Sequence, residues 1–195
     1  KSLTGSGSKG VFLINKDLKK NINILRGRDC YETNISFHKN KFKQKEKYVL
    51  MPYFEGDFFD VDCIVAKGKL LDFSIRKRNN KNQFLFYSTG HQTIKNNLIK
   101  KTIAKFVKIA KIDGPCDFDV ILRNNKVILM EASARLSGSV GICTKAGINF
   151  PAQAIRKSMN FKYKKMILKK NITFRTFLTS DIISKKNSKT FMEYY

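Results

Sequence analysis

Apolar and polar positions alternate most cleanly from Phe59 to Ala66. Phe59, Val61, Cys63 and Val65 fall on one side of an extended chain, and Asp60 and Asp62 fall on the other. Lys67-Gly68 supplies a hairpin turn into a second strand, Leu70 to Ile75, and Asn79 to Asn82 supplies another into Phe84 to Tyr87. Upstream, a Gly/Ser-rich stretch, Lys1 to Gly10, runs into an apolar strand at Val11 to Asn15. Lys16 to Lys47 is polar and predicts a helix and loops, whereas Tyr48 to Tyr53 predicts a buried strand ending at Pro52. The period then lengthens. Ile99, Ile103, Phe106 and Ala110 form the apolar stripe of a helix, with Lys101, Lys105 and Lys108 on a solvated opposite face. A second helix is expected around Pro151 to Met159, and the tail from Ser184 onward should be loosely ordered. There is no internal repeat. Strands joined by hairpins, with few helices, predict an α+β fold built on antiparallel sheets.

One hairpin carries chemistry as well as structure. Cys116 to Leu122 and Val127 to Glu131 flank Asn124-Asn125 and can pair in two registers. A two-residue turn sets Glu131 opposite Phe118 and drags a carboxylate onto an apolar face. A three-residue loop sets Asp119 opposite Glu131 and gathers Phe118, Val120, Leu122, Ile128 and Met130 on the other face. The hydrophobic pattern favours the second register, which clusters Asp117, Asp119, Glu131 and Ser133 at one end of one face. Opposed carboxylates repel unless a cation lies between them, and hard oxygen ligands suit Mg²⁺ held jointly with substrate phosphates. A solvent-facing acidic pair is the alternative. Arg135, just beyond, could hold a transferred phosphate.

Composition narrows the classes. The chain has 195 residues, 42% hydrophobic and 12% aromatic, which suits a globular protein of one domain or two small lobes. No apolar run approaches the roughly 20 residues of a membrane helix, and no signal peptide opens the chain. The four cysteines, Cys30, Cys63, Cys116 and Cys143, are scattered without a CxxC pair, which fits a reducing cytoplasm and argues against a zinc site. The net charge of +24 would ordinarily suggest nucleic acid or an anionic membrane. Lys greatly outnumbers Arg, however, Asn and Ile are abundant, and the lysines are dispersed rather than gathered on one surface. The composition expected of an AT-rich genome accounts for this without a nucleic-acid partner.

Gly5, Gly7 and Gly10 match GxGxxG, but a dinucleotide-binding loop follows a strand and opens a helix. This loop precedes the apolar strand Val11-Phe12-Leu13-Ile14, and Lys9 is followed by Gly10 rather than by Ser or Thr, so the phosphate-loop pattern fails too. What remains is a glycine-rich flap whose bare amides can approach phosphate oxygens closely, or else a flexible linker.

In this order the segments resemble the ATP-grasp superfamily, especially ligases similar to the carbamoyl-phosphate synthase large chain. Lys1-Ser2 and Gly5-Ser6-Gly7-Ser8-Lys9-Gly10-Val11 look like its lysine and glycine-rich flap. Tyr48 to Gly56 looks like its hinge, where backbone groups at Met51, Tyr53 and Phe54 would read adenine. Asp60-Val61-Asp62-Cys63 continues as the family's strand does, with Arg76 where a basic residue often follows. Gly114 to Asp119 and Glu131-Ala132-Ser133-Ala134-Arg135-Leu136-Ser137-Gly138 resemble its two metal-ligand segments, and Ala146-Gly147-Ile148-Asn149 follows them. Departures are specific. Phe58 stands where the family commonly has a ribose-contacting acid, with Asp57 or Asp60 as candidate substitutes. Pro52 replaces a frequent glutamate, Asp119 a glutamine or glutamate, and Ser133 an asparagine.

The resemblance implies a two-lobed grasp. Residues 1–47 would form a small flap lobe, 48–180 a larger antiparallel lobe, and 181–195 a loose tail. ATP would lie between the lobes with its phosphates under Gly5, Ser6, Gly7 and Ser8. Asp119, Glu131 and Ser133 would hold Mg²⁺ or Mn²⁺, while Lys1, Arg76 and Arg135 offset charge as a phosphoryl group moves to a carboxylate, to be displaced by an amine or ammonia. The family's N-terminal domain, which helps bind the acceptor, is expected on the same polypeptide but outside this chain. Two other readings stay open: a degenerate ATP-grasp domain without turnover, suggested by Phe58 and Ser133, and a basic nucleic-acid-binding module using Phe84, Phe86 and Tyr87.

Overall fold

The computed structural model describes residues 3, 11–17, 23–25, 30–34, 36, 47–79, 90–168, 172–175, 180–183 and 188–191. Its centre is a six-stranded antiparallel sheet in the order β8-β7-β4-β5-β6-β9. These strands are β4 (Asp57–Ala66), β5 (Lys69–Arg78), β6 (Gly90–Ile94), β7 (Gly114–Arg123), β8 (Lys126–Ser133) and β9 (Thr173–Arg175). A three-stranded sheet lies N-terminal to it in sequence: β1 (Val11–Ile14) pairs in parallel with β3 (Cys30–Thr33), which pairs antiparallel with β2 (Asn23–Leu25). Residues expected to be helical and looped therefore include two strands. Ser36 has helical backbone, and the rest of that expected helix lies outside the described residues. So does the Phe84 to Tyr87 strand. The tail expected to be loose carries a hairpin, β10 (Ser180–Ile183) with β11 (Ser188–Phe191).

The large sheet is covered on both faces. Helix α1 (Asn97–Ile109) packs Ile99, Ile103 and Val107 onto the face formed by Phe59, Val61, Cys63, Ile75, Cys116, Phe118 and Val120. Asn96 caps it, accepting from the Ile99 amide at 2.9 Å. The stripe runs through Val107 rather than Ala110, which is the exposed C-cap, because helical spacing from Ile103 returns to the sheet at Val107. On the opposite face, α2 (Gly141–Lys145) and α3 (Phe150–Ser158) bury Cys143, Ile148 and Phe150 against Ile64. Cys63, Cys116 and Cys143 are free and buried. Burial and the adjacent Cys116 push the Cys63 thiol up, so it packs as a small hydrophobe.

Two corrections bear on the site. Tyr48 to Tyr53 is not a buried strand: it makes an isolated bridge at Tyr48, and Leu50 is 85% exposed. Pro52 offers no amide to a ladder, so the segment approaches the sheet as an irregular strap. Gly56 ends this strap, and a Cβ there would stand 2.7 Å from the Leu122 carbonyl oxygen, which confines the position to glycine.

The second correction concerns the β7–β8 hairpin, which combines both sequence registers. Asn124 and Asn125 both have positive φ, the mark of a two-residue turn, and Arg123 pairs with Lys126. A bulge between Asp119 and Val120 then lets one extra β8 residue, Met130, slip past, so that Val120 pairs with Leu129 and Asp119 with Glu131. Core packing from β8 therefore comes from Val127 and Leu129, not from Ile128 and Met130. Leu129→Ala should cost about 2 kcal/mol in urea unfolding, and Met130→Ala less than about half of that. Equal losses would contradict this register.

Candidate functional site

The period of two that buries Phe59, Val61 and Cys63 turns Asp60 and Asp62 toward the α2–α3 face. Register extends that polar row across four strands: Glu131, Asp119, Asp60 and Arg76 lie side by side, and next to them Ser133, Asp117, Asp62 and Ser74. The helices cover one end of this face through Ile64. The other end holds the acids.

Arg76 and Asp62 form an ion pair without solvent exposure on either side chain. The expectation that Arg76 faces a phosphate meets a guanidinium with no accessible surface, because β5 aims it beneath the loop that follows β8. Its neighbour Arg78 is the more open arginine. Arg78 Nε donates to Asp60 Oδ1 at 2.9 Å and its Nη2 to Asp119 Oδ1 at 2.8 Å, with a further contact to Asp60. His91 Nε2 lies 2.7 Å from Asp60 Oδ2. Burial by itself raises Asp60, but the hydrogen bonds from His91 and Arg78 outweigh it and hold this carboxyl well below the usual range. As an anion it can only accept, so His91 carries its proton on Nε2.

The acids nearer the open end behave in the opposite way. Burial pushes Asp117 up to about 7, with repulsion from Asp62, Asp119 and Asp60 adding to it. Burial likewise pushes Asp119 up to about 6, against the attraction of Arg78. Asp117 Oδ1 is buried with no hydrogen-bond partner among the described residues. Arg135 Nη1 stands 3.6 Å from Asp117 Oδ2, and its side chain is 63% exposed. Ser133 Oγ donates to Glu131 Oε1 at 3.3 Å.

Asp119, Glu131, Ser133 and Arg135 are thus brought together at one end of one sheet face. Among the described residues no group of three or more His, Cys, Asp or Glu side chains is placed to hold a metal. A Mg²⁺ that takes one or two carboxylates and completes its shell with phosphates and water does not require such a group. The donor set, all oxygen and electrostatically strained by its own charge, fits a hard cation. Met51 and Tyr53 are exposed on the strap before β4, and Phe54 is half-buried. Of the acids that could replace Phe58, Asp60 is buried and engaged, whereas Asp57 is exposed with Lys77 Nζ at 2.8 Å. Lys1, Gly5, Ser6, Gly7 and Ser8 lie outside the described residues, as do Phe84, Phe86 and Tyr87.

The protein-family profile described as "ATP-grasp in the biosynthetic pathway with Ter operon" matches residues 44–176, which include the strap, the carboxylate hairpin and the loop after it. The chain belongs to this ATP-grasp family. Solved structures are similar as well. They include an L-amino acid ligase from Bacillus licheniformis (18% identity, TM-score 0.44, 55% of this chain and 30% of that one). A phosphoribosylglycinamide synthetase from Anaerococcus prevotii matches at 16% identity and a TM-score of 0.49, over 68% of this chain and 37% of that one. An N5-carboxyaminoimidazole synthase from Aspergillus clavatus, solved with ADP and an aminoimidazole ribonucleotide, matches at 14% and 0.48, over 66% and 35%. The chain therefore spans about a third of each of those proteins. No curated protein sequence matches it. No helix among the described residues is long and apolar enough to cross a membrane.

Arg78 and His91 escaped the sequence reading. Arg78 shares a face with Arg76 by the period of two, a signal available in the sequence. His91 is one of two histidines, and nothing local ties it to Asp60.

The raised carboxyls set a pH dependence. Asp117 and Asp119 titrate near 3.9 when unfolded, so between about pH 4 and about pH 7 the native state binds more protons and stability falls as pH rises. The lowered Asp60 acts in the opposite direction, below that window. Urea-unfolding stability should decline from about pH 4 to about pH 7, and Asp117→Asn should flatten the decline. An unchanged slope in the variant would contradict this account of the acid cluster.

Proposed function

We propose that this ATP-grasp chain binds MgATP and transfers its γ-phosphoryl group to a small-molecule carboxylate, as part of a longer polypeptide that then joins the acyl group to an amine or ammonia. The observation that carries the reading is the bulged register, which sets Asp119 against Glu131 with Arg135 exposed just beyond them. Asp119, Glu131 and the Ser133 hydroxyl would hold Mg²⁺ or Mn²⁺, which supplies charge neutralisation between phosphate oxygens. The exposed apolar strap at Met51 and Tyr53, 44% and 46% exposed, offers a surface for the adenine ring. Lys1 and the Gly5–Ser8 flap would cover the phosphates.

Arg135 fits the migrating phosphoryl group. Its planar fork can take two oxygens at once, and its exposure leaves it free to do so. Transfer of this kind needs positioning and charge compensation rather than a nucleophile on the protein. Arg78 keeps the Asp119 carboxylate oriented, and Asp60 and His91 orient Arg78 in turn.

Glu131 is exposed and lies off the hydrophobic face, so Glu131→Ala should leave the fold intact and abolish Mg²⁺-dependent ATP binding. Calorimetry in the presence and absence of Mg²⁺ measures this directly. Undiminished MgATP affinity in the folded variant would remove Glu131 from the metal site.

A further inference from the structure

Two full charges withdrawn from water, as Asp62 and Arg76 are, cost more than their attraction returns unless the remaining hydrogen-bonding capacity is met. The loop after β8 meets most of it. Ser137 donates its amide to Asp62 Oδ1 and its hydroxyl to Asp62 Oδ2, each at 2.8 Å. Arg76 Nη1 donates to the Ser139 carbonyl at 2.9 Å and to its Oγ at 2.8 Å, and Nη2 donates to Ser137 Oγ at 2.9 Å. Leu136 and Val140, on either side, pack against the Ile64 cluster. The loop is thus clamped from beneath at two serines by a guanidinium whose planar fork fixes both direction and distance.

Arg135 is two residues upstream of this clamp. Its other ties are slight: Nη1 donates to the Leu136 carbonyl at 3.0 Å and stands 3.6 Å from Asp117 Oδ2. We infer that the Asp62–Arg76 pair is a positioning device that fixes residues 135–139 against the β7–β8 carboxylates and so aims Arg135, while Arg76 itself touches no substrate. The role rests on the reading of Arg135 given above and assigns to the buried pair what that reading leaves unexplained. An apolar pair of the same volume would stabilise the sheet as well, but it would set no register for the loop.

Two measurements on the full polypeptide test this. Arg76→Lys keeps the charge and loses the fork. Amide exchange at Ser137 should quicken by roughly tenfold or more while Phe118 and Val120 keep wild-type protection. Uniform quickening, or none at Ser137, would overturn the inference, since a merely structural pair would loosen the core equally. If Arg76→Lys does not fold, Ser137→Ala serves instead, with exchange read at Ser139. The second measurement is a double-mutant cycle on ADP release across a panel of carboxylates and amines. Arg76→Lys should slow release by roughly tenfold or more alone but add nothing in an Arg135→Ala background, because it acts through that residue. Additive slowing would overturn the inference. If Arg135→Ala alone leaves ADP release unchanged, the proposed role of Arg135 falls, while the exchange result still decides whether the clamp exists.

Discussion

Charge withdrawn from water in the middle of a sheet is the constraint around which this structure is organised. Asp60, Asp62 and Arg76 sit on central strands with helices on both faces of the sheet, so solvent cannot screen them and each must find protein partners. The partners come from far along the chain: Ser137 and Ser139 for the Asp62–Arg76 pair, His91 and Arg78 for Asp60. Meeting that demand pins the loop after β8, orders β6 against β5, and leaves the remaining acids crowded at the one end the helices do not cover.

That crowding follows from geometry. A two-residue Asn-Asn turn by itself would set Glu131 against Phe118 and put a carboxylate in the α1 core. The bulge at Asp119 and Val120 removes the conflict: Leu129 keeps the apolar face and Glu131 moves to the polar one. The result is an Asp119 carboxyl that burial pushes up, facing Glu131 across the ladder, beside an arginine exposed to solvent. Stability is sacrificed locally, since Asp117 retains a buried oxygen without a hydrogen-bond partner among the described residues.

Much of this was legible in the sequence. Alternation from Phe59 to Ala66, the Lys67-Gly68 turn and the Ile99–Ile103 spacing are local patterns set by periodicity, and they map onto β4, its turn and α1. The pairing of Asp119 with Glu131 followed from the cost of burying a carboxylate. Three features did not follow. The bulge has no local signature, because either strand alone fits a regular ladder. The strap at Tyr48 to Tyr53 is as apolar as a core strand, and its exposure, with Leu50 at 85%, is what distinguishes it. The contrast between Arg76 and Arg78 depends on the loop that folds over one and not the other, a tertiary fact. The proposed metal role of Asp119, Glu131 and Ser133 rests on their resemblance to ATP-grasp proteins together with their register, and not on spacing alone.

The central claim is that the Asp119–Glu131 end of the polar face is where a divalent ion and nucleotide phosphates meet. Anomalous scattering from Mn²⁺, in crystals of the protein grown with a non-hydrolysable ATP analogue, tests it most directly. The account predicts an anomalous peak between the Asp119 and Glu131 carboxylates, shared with phosphate oxygens. A nucleotide bound with its Mn²⁺ elsewhere on the chain, or a peak that leaves both carboxylates uncoordinated, would contradict it.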